Sequence, residues 1–110
     1  MNAGTLSCAL LGAVLASLGQ VSFKWGAAGR LALAEFANPW IMLGLLLYLA
    51  GTLAWIRALA TVPLTVLYPF TALTYVMVNL LAVVLLGESL SLRGVAGSAL
   101  VLLGLLLVAS

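Results

Sequence analysis

Six charged side chains stand in a chain of 110 residues: Lys24, Arg30, Glu35, Arg57, Glu88 and Arg93. With no histidine and a single cysteine, Cys8, the chain has neither a Ser-His-Asp triad nor the donors for a multi-ligand zinc site. A formal net charge of +2 scattered over six positions draws no phosphate-tracking stripe, which excludes a nucleic-acid binder. An enzyme is therefore not expected, and no cofactor or metal is expected. The chemistry that remains is hydrogen bonding by neutral groups, with a few cations beside them.

Those neutral groups are patterned. Tyr68, Thr71, Tyr75 and Asn79 follow one another at steps of three, four and four residues, which puts them on one face of a helix. Such a face serves either as interhelical hydrogen bonding or as the polar wall of a substrate pathway, and Pro69 beside it favours the wall. Gly12, Ala16 and Gln20 step by four, with Ala13, Ser17 and Lys24 on the adjoining row. Gln20 reads as a structural bridge or a substrate contact; Lys24 reads as an interface anchor or a phosphate-binding cation at the mouth of a cavity. Gly97 and Gly104, with Gly94 and Ser98, make a small face suited to packing within one chain or to dimerisation. The arginines are most economically topology signals and headgroup contacts, Glu35 and Glu88 are solvated charges in connections, and Cys8 is a packing residue.

The elements that must carry these residues follow from where the charges are not. Uncharged stretches run over 1–23, 36–56, 58–87 and 94–110, and 66% of the residues are hydrophobic while 5% are charged, against roughly 25% charged in soluble domains. Each stretch holds one helix of about 20 residues, the length that crosses about 30 Å of hydrocarbon. The expected fold is an all-α integral membrane domain over 1–110, with helices at about 5–25, 39–57, 64–86 and 92–108. The neutral start, Met1 to Gly4, lacks the basic region of a cleaved signal peptide, so the first run is expected to be a mature span. Asn38-Pro39 reads as the cap and first residue of the second helix, Trp40 and Trp55 as aromatic anchors at its ends, and Ser91 as the cap of the fourth. Pro69 predicts a kink in the third helix, whose freed carbonyl must face protein or a wet cavity. Lys24, Arg30 and Arg93 share one face, while Arg57 shares the other with both termini. This slightly favours a cytoplasmic placement of the first and third connections, and leaves dual insertion open.

The length, the four spans, Lys24 after the first helix, Val62-Pro63 leading to Tyr68, Gly87-Glu88-Ser89-Leu90-Ser91, and the pair Gly97 and Gly104 resemble the small multidrug resistance type of the drug/metabolite transporter superfamily. Drug exporters of that type carry a carboxylate midway along the first helix, and Val14-Leu15-Ala16-Ser17-Leu18 contains none. Proton exchange for an organic cation then has no coupling group. Gly19-Gln20 with Lys24, Tyr68-Pro69, Asn79, and Gly87-Glu88 through Ser91 and Arg93 are similar instead to the aminoarabinose-phosphoundecaprenol flippase subunits. That resemblance implies a small multidrug resistance-like dimer in a bacterial-type inner membrane, homomeric or formed with a related four-helix subunit. It also implies dimer contact at Gly97 and Gly104, and passage of a polyprenyl-phosphate-linked aminosugar between leaflets. Gln20 and Lys24 would contact the headgroup, with Tyr68, Thr71, Tyr75 and Asn79 along its path. Export of a small neutral or cationic metabolite or drug remains an alternative, as does a non-transporting subunit that regulates a partner transporter or glycosyltransferase.

Overall fold

The computed structural model describes residues 2–109. They form four helical spans with no strand among the described residues, and every span is long and apolar enough to cross a membrane. Helix α1 is Ala3–Ala27, α2 is Pro39–Leu59, and α5 is Leu92–Ala109. The third span is broken into α3 (Leu64–Leu67), a 3-10 turn (Tyr68–Phe70) and α4 (Thr71–Leu85). Antiparallel succession puts the start of α1, the α2–α3 connection and the end of α5 on one membrane face, and the other two connections opposite.

The ends of the first hairpin are fixed by polar side chains. Asn2 accepts from the Thr5 amide at 2.7 Å to start α1, and Asn38 accepts from the amides of Trp40 and Ile41 to start α2, with Pro39 at its first position. The same Asn38 donates its amide back to the Gly26 and Glu35 carbonyls, and Arg30 donates to Gly26 at 2.7 Å. Carbonyls left open at the end of α1 are thereby satisfied. Ser22 donates to the Trp40 carbonyl, and the Trp25 and Trp40 rings lie 5.0 Å apart.

Glycine makes the α1/α2 seam possible. A Cβ on Gly12 would sit 3.1 Å from the Gly51 carbonyl oxygen, and one on Gly19 would sit 3.1 Å from that of Gly44. Backbone therefore meets backbone at two levels of the hairpin, the close approach that small residues permit in a membrane. α1 is the buried element of the fold, and its most extensive packing is against α2.

The break at Pro69 has the cause read from sequence: proline supplies no amide hydrogen and crowds the preceding turn. The Thr71 hydroxyl donates to the Tyr68 carbonyl at 2.8 Å, and the Thr71 amide turns to the same region, which satisfies backbone freed by the break. Leu67 and Phe70 beside it pack with Ala9, Ala58 and Leu105 into the buried cluster of the molecule. α5 lies at the periphery, with only Ser98 and Leu105 buried among its described residues.

Candidate functional site

A cavity of about 330 Å³ opens between α1, α2 and the third span. Its floor is made by the small residues Gly12, Ala13, Ala16 and Gly51. Its walls carry Tyr48, Thr52 and Trp55 from α2, and Tyr68, Thr71 and Thr74 from the third span. Gly12 lies about 14 Å along an α1 of about 37 Å, so the cavity sits well inside the membrane.

The hydrogen-bonding capacity of this wall divides in two. Thr52 donates to the Tyr48 carbonyl at 2.9 Å and Thr71 to Tyr68, so these hydroxyls keep only acceptor capacity. The hydroxyls of Tyr48, Tyr68 and Thr74 and the indole N–H of Trp55 have no hydrogen bond among the described residues. They are donors open to a guest. No charged side chain lines the cavity. Glu35 falls in a 3-10 turn between α1 and α2 and Glu88 in the α4–α5 connection, both exposed and both outside the spans.

Of the residues singled out from sequence, Tyr68 and Thr71 line the cavity. Gln20 is exposed one turn beyond Ala16, and Tyr75 is exposed one turn beyond Thr71. Lys24 is exposed at the end of α1, a further turn along. None of the three lines a cavity described here. Asn79 donates to the Ser98 hydroxyl at 3.1 Å, tying α4 to α5. Gly97 and Gly104 face open space, since a Cβ on either would meet nothing within 4 Å. The Ser17 hydroxyl donates to the Ala13 carbonyl at 2.7 Å and approaches the Thr74 carbonyl at 3.4 Å, so the cavity is closed on that side where α1 meets α4.

Sequence reasoning missed Tyr48, Thr52, Trp55 and Thr74. The signal was present in α2: Tyr48, Gly51, Thr52 and Trp55 stand at i, i+3, i+4 and i+7, a single helix face. Trp55 was expected to be an aromatic anchor at the end of its helix; it is half-buried, lines the cavity and packs against the Ala58 and Leu67 cluster.

Four apolar spans, three of which enclose an uncharged, hydroxyl-lined cavity, define a small four-helix membrane protein. No family model matches the chain, and no solved structure matches it. Curated relatives do. The chain is 31% identical to a probable 4-amino-4-deoxy-L-arabinose-phosphoundecaprenol flippase subunit ArnE of Pseudomonas fluorescens, over 90% of this chain and 91% of the relative. It is 36% identical to a probable ArnE subunit of Pectobacterium atrosepticum, over 86% and 88% of the two chains. A probable ArnF subunit of the same flippase from Shewanella sediminis is 33% identical, over 94% of this chain and 86% of its own. The chain belongs to this family of aminoarabinose-phosphoundecaprenol flippase subunits and is a multi-pass protein of the inner membrane.

Proposed function

We propose that this chain is one subunit of a dimeric flippase that moves a polyprenyl-phosphate-linked aminosugar between the leaflets of the inner membrane, and that it is not an enzyme. The observation that carries this reading is the intramembrane cavity whose free groups are donors and which holds no acid. A glycosyl phosphate is rich in acceptor oxygens and costly to desolvate, so hydroxyl and indole donors at membrane depth offset that cost. An organic cation would find no carboxylate there to exchange for a proton.

The polyprenyl tail needs no polar partner. An apolar groove of about 200 Å³ along α1 and α4, lined by Val14, Leu18, Met77 and Leu80 among others, adjoins the cavity across Ala13 and Ser17 and offers a surface for its first units. Gln20 and Tyr75 stand exposed one turn beyond cavity residues, on the side of the membrane face where Lys24 stands, and a phosphate entering from that face would meet the ammonium first. In this scheme Asn79 holds α4 against α5 and so supports the span that brings Tyr68, Thr71 and Thr74 to the cavity wall.

The open small face at Gly97 and Gly104 supports pairing through α5, with a second copy or with a related four-helix subunit. Reconstitution into liposomes tests the reading. The expected result is accelerated transbilayer movement of the lipid-linked phosphosugar, by this chain alone if it pairs with itself or only with the related subunit if it does not. Flux of a neutral or cationic solute without lipid movement would overturn it.

A further inference from the structure

A second cavity, of about 460 Å³, opens at the face that carries the start of α1 and the α2–α3 connection. Arg57, Thr5, Thr61, Asn2 and Cys8 line it. The guanidinium of Arg57 has no hydrogen bond or ion pair among the described residues. Both acidic side chains lie in the connections at the opposite face, so neither neutralises it. The Thr61 hydroxyl donates to the Ala58 carbonyl at 3.4 Å and lies 2.9 Å from the Thr5 hydroxyl, and the side-chain amide nitrogen of Asn2 has no partner among the described residues, its oxygen being taken by the Thr5 amide hydrogen. One cavity is thus lined by the Arg57 guanidinium and the Asn2 side-chain amide, two unpartnered donor groups of the kind that suits a phosphate.

The position is as telling as the composition. Thr5 stands seven residues before Gly12 on α1, about 10 Å, and Arg57 two residues beyond Trp55 on α2, so this basin lies end to end with the intramembrane cavity. Lys24 is nineteen residues from Thr5 on the same helix, about 28 Å, close to the thickness of the hydrocarbon. The two cations, neither with a hydrogen bond or ion pair among the described residues, therefore stand near opposite membrane faces, with the neutral cavity between those levels.

We propose that the Arg57 basin is a second phosphate station, which takes the phosphate of the lipid-linked substrate at the membrane face opposite Lys24. This rests on the flippase reading and adds to it a named residue set for the far leaflet. Arginine suits the task because its planar fork binds two phosphate oxygens at once. A neutral cavity between two cationic ends would let the headgroup leave either side without a proton moving.

The test uses the full chain in phosphatidylcholine nanodiscs, with the related subunit present if the dimer needs it, and undecaprenyl phosphate as the probe. Native mass spectrometry is expected to resolve two phosphate-dependent binding events per protomer. Arg57→Gln should remove one of them or weaken it by about tenfold, as expected for loss of a charge-assisted bond. Arg57→Lys should retain part of it, and binding of uncharged undecaprenol should not change. Equal competition by phosphatidylglycerol would overturn the proposal by making Arg57 a general headgroup anchor; equal competition by inorganic phosphate would overturn the lipid-borne assignment. Unchanged binding in Arg57→Gln would also overturn it. Lipid movement measured on the same protein separates the two readings. Two events with one lost in Arg57→Gln, but no movement by the wild-type protein, would keep the station and remove the flippase. Movement with binding unchanged in Arg57→Gln would do the reverse.

Discussion

The first hairpin and the second half of the molecule are built to different standards. Between α1 and α2, backbone meets backbone at Gly12–Gly51 and Gly19–Gly44, and the connection is tied by Ser22, Arg30 and Asn38. Between α4 and α5 the hydrogen bond from Asn79 to Ser98 is the recorded polar tie, and the glycines of α5 face nothing. Atoms without partners on one side forgo dispersion contacts, so the small face of α5 is left for a partner while the glycines of the first hairpin are already engaged at its seam. One wall of the cavity is thereby a fixed frame, and the other stands on helices whose neighbours are incomplete in one protomer.

The comparison breaks most severely at the seam. Gly51→Leu would drive a side chain against the Gly12 carbonyl and Leu15 Cβ, both 3.1 Å from where its Cβ must stand. Overpacking of this kind costs about 1–3 kcal/mol. A lower melting temperature in detergent is expected, together with loss of lipid movement because the seam that carries the cavity floor is forced apart. Unchanged melting would mean that the hairpin is not the rigid half.

Lys24→Gln is the next largest, and it is selective. A charge-assisted hydrogen bond is roughly twice as strong as a neutral one, so binding of the phosphorylated lipid should fall far more than binding of its uncharged analogue. Equal losses for both would leave Lys24 as an anchor of α1 only.

Gly97→Leu with Gly104→Leu tests the open half. Each replacement enters free space in the protomer, so melting of an isolated subunit should hardly change while the dimer weakens, read by crosslinking or native mass. A dimer that survives both replacements removes α5 as the pairing face. The smallest expected effect is that of Asn79→Leu, which removes one hydrogen bond between α4 and α5 worth about 0.6 kcal/mol in membrane double-mutant cycles.

The four spans were legible because six charges bracket them, and Asn38-Pro39 and Pro69 act through backbone geometry that their own side chains dictate. The seam was not, since Gly12 is recognisable as small but its partner Gly51 is set only by tertiary packing. The site was legible by azimuth and not by depth. A polar face runs the length of a helix, whereas the cavity spans about two turns, so Tyr68 and Thr71 fall within it while Gln20, Tyr75 and Asn79 stand beyond it on their rows. Asn79 further needed Ser98, on another helix, for its bond to be foreseen. In α2 the cavity face was written in the spacing of Tyr48, Gly51, Thr52 and Trp55, but a tryptophan near a helix end reads first as an interfacial anchor.

The central claim is that a cavity of neutral donors, with no acid in any span, receives a lipid-borne phosphate and does so without exchanging a proton. Titration calorimetry in two buffers of different ionisation enthalpy, with the lipid-linked phosphosugar and with a quaternary aromatic cation as ligands, tests it most directly. The predicted result is the same binding enthalpy for the lipid in both buffers and no measurable affinity for the cation. Release of one proton on binding the cation would contradict the account, and would require Glu35 or Glu88 to enter the membrane as the coupling acid.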